Sequence, residues 1–182
     1  MTPWYFRLFY IPILSFVISF ALFGIMKAKR MTGAGPSKPF AVAYSLMLIG
    51  FCVLMWFVPF KINLPFWIGI SIIVFGQVAF ALGYSAMREH PEKKKAVVDW
   101  GIYRVSRHSH VLAGIIVDLG AIIMGWNLKS TTYLILWVYF ILYVIISHLG
   151  VLSEEKINIE KFGQEYKDYM KKVPRYFLIR GK

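Results

Sequence analysis

The chain has 182 residues, 58% of them hydrophobic, 18% aromatic and only 16% charged, with a formal net charge of +12. Soluble domains carry about a quarter charged residues, and here the apolar residues gather into long uncharged runs, which excludes a greasy globular domain and points to an integral membrane protein. A single cysteine, Cys52, lies inside one such run; it excludes an intrachain disulfide and a cysteine metal cluster, reads as a small core hydrophobe, and leaves no metal site to expect.

A bilayer core takes about 20 apolar residues as helix. Residues 8–26 are uncharged and predict the first span, closed by Lys27, Lys29 and Arg30. This run is longer than a signal-peptide core and is followed by Lys-Ala-Lys-Arg instead of small residues, so no cleavable leader is expected. A loop with Gly33, Gly35, Pro36 and Pro39 leads to a second span at 41–60. Lys61 and Asn-Leu-Pro turn the chain into a third span at 64–87. A basic loop follows, then a short fourth span at 111–126 carrying Asp118. Asn-Leu-Lys-Ser turns the chain again into the fifth span at 131–152. Beyond it, Phe162, Tyr166, Tyr169 and Val173 recur at helical spacing as one apolar-aromatic face, and Pro174 ends that amphipathic helix. The helix either lies on the headgroups or packs over the loops as a wall. The expected architecture is therefore all-α: five transmembrane helices and a C-terminal amphipathic helix in a single membrane domain, with three N-terminal spans in 1–87 and the loop, hairpin and tail in 88–182.

Five spans place 18 of the 21 lysines and arginines on one side, in the loops after spans one and three and in the tail. Only Arg7, Lys61 and Lys129 fall on the other. The positive-inside rule makes the basic side cytoplasmic and sets the N-terminus outside. Attraction of these residues to anionic lipid heads accounts for most of the net charge. No nucleic-acid-binding module is present in the sequence, so nucleic acid is not an expected partner. A transporter is disfavoured as well: five spans do not halve into repeats, and Asp118 apart, the spans hold few ionisable groups.

The chemistry-bearing residues gather at that cytoplasmic face. Arg104, Arg107, His108 and His110 crowd the lip of span four, and Glu154 and Glu155 follow span five. Spans four and five form a hairpin, so its open ends bring His108 and His110 beside the two glutamates. The arginines also read as phosphate anchors, and the acidic pair as charge compensation. Asp118 within span four costs about 2.5–3.5 kcal/mol unless satisfied; His148 and Gln77 are its expected partners, as a structural clasp between helices.

Two segments carry a family resemblance. "GIYRVSRHSHVLAG" resembles the Gly-x-Tyr-x-x-x-Arg-His-Pro-x-Tyr-x-Gly motif of the isoprenylcysteine carboxyl methyltransferases and their prokaryotic relatives, which are related to phospholipid methyltransferases. "EEKINIEKFGQEYKDYMKKVPR" is similar to their second signature: paired Glu, Phe-Gly-x-x-Tyr-x-x-Tyr, then Val-Pro-Arg. Ser109 and Val111 stand where the motif has proline and tyrosine, and Gly150 where eukaryotic members place an arginine proposed to meet the substrate carboxylate. The resemblance implies a membrane-embedded, S-adenosylmethionine-dependent methyltransferase that releases S-adenosylhomocysteine. It implies cofactor contacts at Lys95, Ala96, Val97, Val98, Tyr103, His108, Ser109, His110, Val111, Glu154 and Glu155, with Arg107, His108, Glu154 and Glu155 forming the catalytic set. The implied partner is a lipophilic or lipidated acceptor bearing a carboxyl or an amine. A carboxylate needs only alignment and loss of water, whereas an amine must also lose a proton, to the glutamate pair or His108. Two rivals remain: an NADPH-dependent enzyme like the membrane sterol reductases, and a non-catalytic lipid-binding protein on the same helices.

Overall fold

The computed structural model describes Leu14 and residues 38–58, 60–87 and 97–177. The expected first span, apart from Leu14, lies outside the described residues, as do Lys95 and Ala96. Five helices follow in order: α1 (Lys38–Trp56), α2 (Leu64–Met87), α3 (Ser109–Met124), α4 (Thr131–Phe162) and α5 (Gln164–Lys172), with a 3-10 turn at Gly101–Arg104 between α2 and α3. Asn63 starts α2 as its sequence suggests, its side-chain oxygen accepting the Phe66 amide at 3.1 Å. Ser130 plays the same part for α4, accepting from Tyr133 at 3.4 Å.

Two helices, α2 and α4, are long and apolar enough to cross a membrane, while α3 and the 45–56 stretch of α1 are shorter apolar helices. Their outward residues are large and apolar: Leu46, Ile49 and Val53 on α1, Trp67, Val74 and Phe75 on α2, Val138, Ile141 and Ile145 on α4. Exposed apolar surface that extensive marks a surface meant for lipid or protein contact rather than water.

The expected boundaries need two corrections. The second apolar segment is helical over Lys38–Trp56 rather than 41–60, because the chain turns at Phe57 and Val58, whose amides bond back to Leu54 and Met55. The fifth does not stop at 152. It runs unbroken to Phe162, since residues 153–162 hold neither glycine nor proline, and it ends at Gly163 with φ +58°. A 32-residue helix is about 48 Å long, against a hydrocarbon core of about 30 Å. Glu154 and Glu155 therefore project from the same rigid rod as the apolar segment, beyond its last uncharged turns.

The buried face of α2 is Phe66, Gly69, Ile73, Gly76, Phe80 and Gly83, an alternation of three and four residues in which every second member is glycine. Gly69 and Gly76 let α3 approach to backbone contact. A Cβ at Gly69 would sit 2.5 Å from the Gly120 carbonyl oxygen and 2.5 Å from the Met124 nitrogen, and one at Gly120 would sit 2.8 Å from the Gly69 carbonyl oxygen. The α2–α3 pair is the most extensive interface, α1 rests on α4, and α3 and α4 form the hairpin, pinned by the Tyr133 hydroxyl donating to the Ile122 carbonyl at 3.1 Å. Small-residue contacts of this kind replace the hydrophobic driving force that is absent between helices in lipid.

Gly69→Ala is expected to lower the unfolding free energy by about 1–3 kcal/mol, because backbone cannot move aside as a side chain can, and despite a helix-propensity gain of about 1 kcal/mol. Thermal unfolding in detergent reads this out. Val74→Ala, on the outward face, should change stability by about 0.5 kcal/mol or less.

Candidate functional site

The site is assembled at one end of the α3–α4 hairpin from three segments. The loop after α2 is held down first. Trp100 donates its indole N–H to the Ala86 carbonyl at 2.7 Å, satisfying an acceptor at the helix end. Gly101, at φ +58°, passes so close to α2 that a Cβ there would lie 2.9 Å from the Ala86 Cβ. The 3-10 turn then buries Tyr103, and residues 106–109 (Ser, Arg, His, Ser) enter α3 with all four side chains buried.

The tail is stapled onto that loop. The Tyr169 hydroxyl donates to the Tyr103 carbonyl at 2.7 Å, Ser106 Oγ donates to the Arg175 carbonyl at 3.0 Å, and the Arg107 amide donates to the Pro174 carbonyl at 3.1 Å. The Val97 amide donates to Glu165 at 3.3 Å, and Val97 packs with Tyr166, Tyr169 and Val173 in a small core of its own. Of the two placements open to the amphipathic helix, it takes the wall: α5 turns its aromatic face onto the loop.

The expected catalytic set converges. Arg107 donates to Glu155 Oε1 from Nε at 3.2 Å and from Nη2 at 2.8 Å, and its Nη1 donates to the carbonyls of Met170, at 3.0 Å, and Val173. Arg175 forks onto both Glu155 oxygens, with Nη2 2.7 Å from Oε2. His108 Nε2 lies 3.3 Å from Glu155 Oε1, and its Nδ1 lies 3.7 Å from Glu154 Oε2. Despite that proximity, neither ring nitrogen completes a hydrogen bond among the described residues; the Ser147 hydroxyl on α4 is likewise without a partner there, while Ser109 meets the Tyr103 hydroxyl. Buried polar atoms are nearly always satisfied; among the described residues, the two ring nitrogens of His108 are left without a hydrogen-bond partner.

The two glutamates, though adjacent, meet opposite environments. Burial alone would push the Glu155 carboxyl up, but contacts from His108, Arg175 and Arg107 hold it well below the usual carboxylate range. Glu154 lacks those partners; burial, reinforced by the charge of Glu155, pushes it up to about 8. Burial lowers His108, and the nearby arginines add to that against the pull of Glu155, so the imidazole is neutral near pH 7. Tyr103 places its hydroxyl 3.4 Å from His110 Nδ1, while Val98, His110 and Val111 are half-buried around the same end.

Of the two partners expected for Asp118, His148 is engaged elsewhere. His148 Nδ1 instead lies 3.0 Å from the Tyr176 hydroxyl, and Asp118, 1% exposed, is hydrogen-bonded by Tyr143 on α4. Sequence reasoning also left Arg175 out of the candidate set, although it follows the helix-stopping Pro174 within the second signature. Ser106 and Ser147 carried no sequence signal, because only long-range packing gives them a place.

Removing the charge of Glu155 leaves the buried guanidinium of Arg107 and the half-buried one of Arg175 without a carboxylate, which costs about 3–5 kcal/mol when a buried pair is broken from one side. Glu155→Gln is expected to lower the thermal midpoint and to accelerate amide exchange over α5. Because the folded pKa is depressed, the advantage of the wild type is complete above the ordinary glutamate value of about 4.3 and disappears as the pH falls through the depressed one. An unfolding series from pH 7 to pH 2 checks the sign.

No curated protein and no solved structure matches the chain. Residues 12–173 match the family of proteins of unknown function DUF1295, which is distantly related to membrane proteins of the steroid-reductase and methyltransferase-like kind. That match takes in the helices, the loop, the paired glutamates and α5, and by it the chain belongs to the DUF1295 family.

Proposed function

We propose that this protein is an integral membrane methyltransferase that uses S-adenosylmethionine on a membrane-borne acceptor at the cytoplasmic face. The observation that carries the reading is the buried ring of His108, without a hydrogen-bond partner among the described residues, beside Glu154 and at the end of helices whose outward faces are apolar. The donor set suits a nucleoside with an amino-acid arm. Glu154 and the His108 ring nitrogens match ribose hydroxyls and an ammonium group, and Val97, Val98, Val111 and Tyr103 supply apolar and aromatic surface for a base. When bound, the cofactor supplies an electrophilic methyl on a sulfonium.

The rest is positioning. Arg107 and Arg175 are spent on Glu155 and the tail carbonyls, so they lock α5 over the loop and fix the ring of His108. Glu155, ionised and fully engaged, is a keystone, while Glu154 keeps free acceptor capacity. A docked α5 excludes water from one side of the site, and the exposed apolar faces of α2 and α4 give a lipid acceptor a lateral approach. On this reading the first span, the N-terminus outside and the cytoplasmic sidedness follow from the charge asymmetry. Lys156, Lys161, Lys167, Lys171 and Lys172 then sit on the anionic leaflet beside the site.

Calorimetric titration of the detergent-purified chain with S-adenosylhomocysteine, with NADPH as control, tests the proposal. Saturable binding of S-adenosylhomocysteine alone is expected, weakened about tenfold or more by His108→Ala. Binding of NADPH alone would replace the transferase with a reductase, and binding of neither would leave a non-catalytic lipid-binding protein.

A further inference from the structure

The tail does not trail away into solvent after α5. Arg175 forks onto Glu155, and Tyr176 then brings its hydroxyl 3.0 Å from His148 Nδ1, with the two ring centroids 5.9 Å apart. His148 belongs to α4, one turn before Leu152, where the uncharged run of that helix ends. The chain that leaves the apolar segment at Leu152 thus returns to it at Tyr176.

The other end of α4 fixes the depth of that return. There Tyr133 packs edge-on against Trp126, and both Trp126 and Trp67 are exposed, an aromatic girdle of the kind that marks a membrane–water boundary. From Tyr133 to His148 the helix rises about 22 Å, less than the thickness of a hydrocarbon core, about 30 Å. Tyr176 is therefore held at the opposite boundary, with its hydroxyl met by His148. The next residue, Phe177, is 63% exposed, at the level where α4 turns Leu149 and Leu152 outward. A phenyl ring at that depth faces lipid rather than water. The sequence goes on through Leu178 and Ile179 to Arg180 and Lys182, apolar residues followed by cations that suit headgroup phosphates.

We propose that Tyr176 and Phe177 form an interfacial anchor, with Phe177 seated at the headgroup–acyl boundary of the bilayer that holds the helices. This rests on the reading of the chain as an integral membrane protein and not on its cofactor. The consequence falls on α5. Arg107 and Tyr169 tie that helix to the loop, and Arg175, which follows it, pairs with Glu155. With the anchor, the end of α5 is fastened to protein and to lipid together. Lifting this wall off the site then withdraws an aromatic ring from the bilayer, so α5 stays closed more firmly in a membrane than its polar contacts alone would hold it.

The chain has a single cysteine, Cys52, so site-directed labels are introduced in a Cys52→Ser background. Nitroxides at Phe177→Cys, Val138→Cys and Glu160→Cys are compared by power saturation in vesicles of phosphatidylcholine and phosphatidylglycerol. Oxygen is the lipid-soluble relaxant and a nickel chelate the aqueous one. Val138, outward on α4, is the lipid reference, and the exposed Glu160, two turns beyond the apolar run, is the water reference. The label at 177 is expected to favour oxygen over nickel, at a shallower depth than the label at 138. A label at 177 that reads like the one at 160, with 138 still in lipid, would overturn the anchor. Nickel access at 138 would remove the membrane reading itself. Amide exchange supplies an arm without labels: Phe177→Asp should speed exchange over α5 about tenfold or more in the same vesicles, whereas Phe177→Leu should leave it near the wild-type rate. Equal rates for Phe177→Asp and the wild type would show that Phe177 does not hold α5 and would sink the proposal.

Discussion

The site depends on one buried carboxylate. Glu155 is 4% exposed and receives Arg107 from the loop, Arg175 from the tail and the imidazole edge of His108. No single one of these groups is stable where it lies: an unpaired guanidinium or carboxylate in that setting costs several kcal/mol. Together they are satisfied, and three segments far apart in sequence are fixed against each other. Arg107 extends the link through the Met170 and Val173 carbonyls, so the C-terminal end of α5, rich in unpaired acceptors, is capped by a side chain from the other segment. A lysine there would be a point charge with too few directed donors to meet both the carboxylate and the carbonyls.

The adjacent glutamates divide because their surroundings differ. One face of α4 turns Glu155 toward two arginines, and the next position turns Glu154 toward an imidazole and tyrosines. The charge of Glu155 then helps keep Glu154 protonated. A structural ion pair thus reinforces what burial does to the carboxyl beside it.

Much of this was legible in the sequence, for identifiable reasons. Uncharged runs bounded by lysine and arginine mark the apolar helices, and the hairpin they imply brings His108 to Glu154 and Glu155 before any coordinates exist. The continuation of α4 to Phe162 was open to reading from the absence of glycine and proline in residues 153–162. Other features were not legible. The packing role of Gly69 and Gly76 shows only once Gly120 and Val117 are seen opposite them. The sequence does not reveal that Tyr143 meets Asp118 while His148, one of its two expected partners, goes to Tyr176. Arg107 carries no mark in the sequence of whether it faces phosphate, substrate or a backbone carbonyl; that is decided by where a tail 63 residues later comes to rest.

The length of α4 joins the two halves of the molecule. Its buried positions, Tyr133, Leu136, Phe140, Tyr143, Ser147, Gly150, Val151, Glu155 and Asn158, form a single stripe from the hairpin turn to the tail. The stripe changes chemistry along its length, from aromatic and aliphatic to hydroxyl, glycine and carboxylate, without changing direction. Packing of the apolar half against α1 and α3 therefore sets the rotation of the helix, and a rigid helix carries that rotation to Glu154 and Glu155. An error of one residue in the register would turn Glu155 by about 100°, away from both arginines. The position of the site residues is thus fixed largely by contacts among apolar side chains more than two helical turns away, and the close glycine-mediated approach of α2 to α3 belongs to the same machinery as the carboxylate it helps to aim.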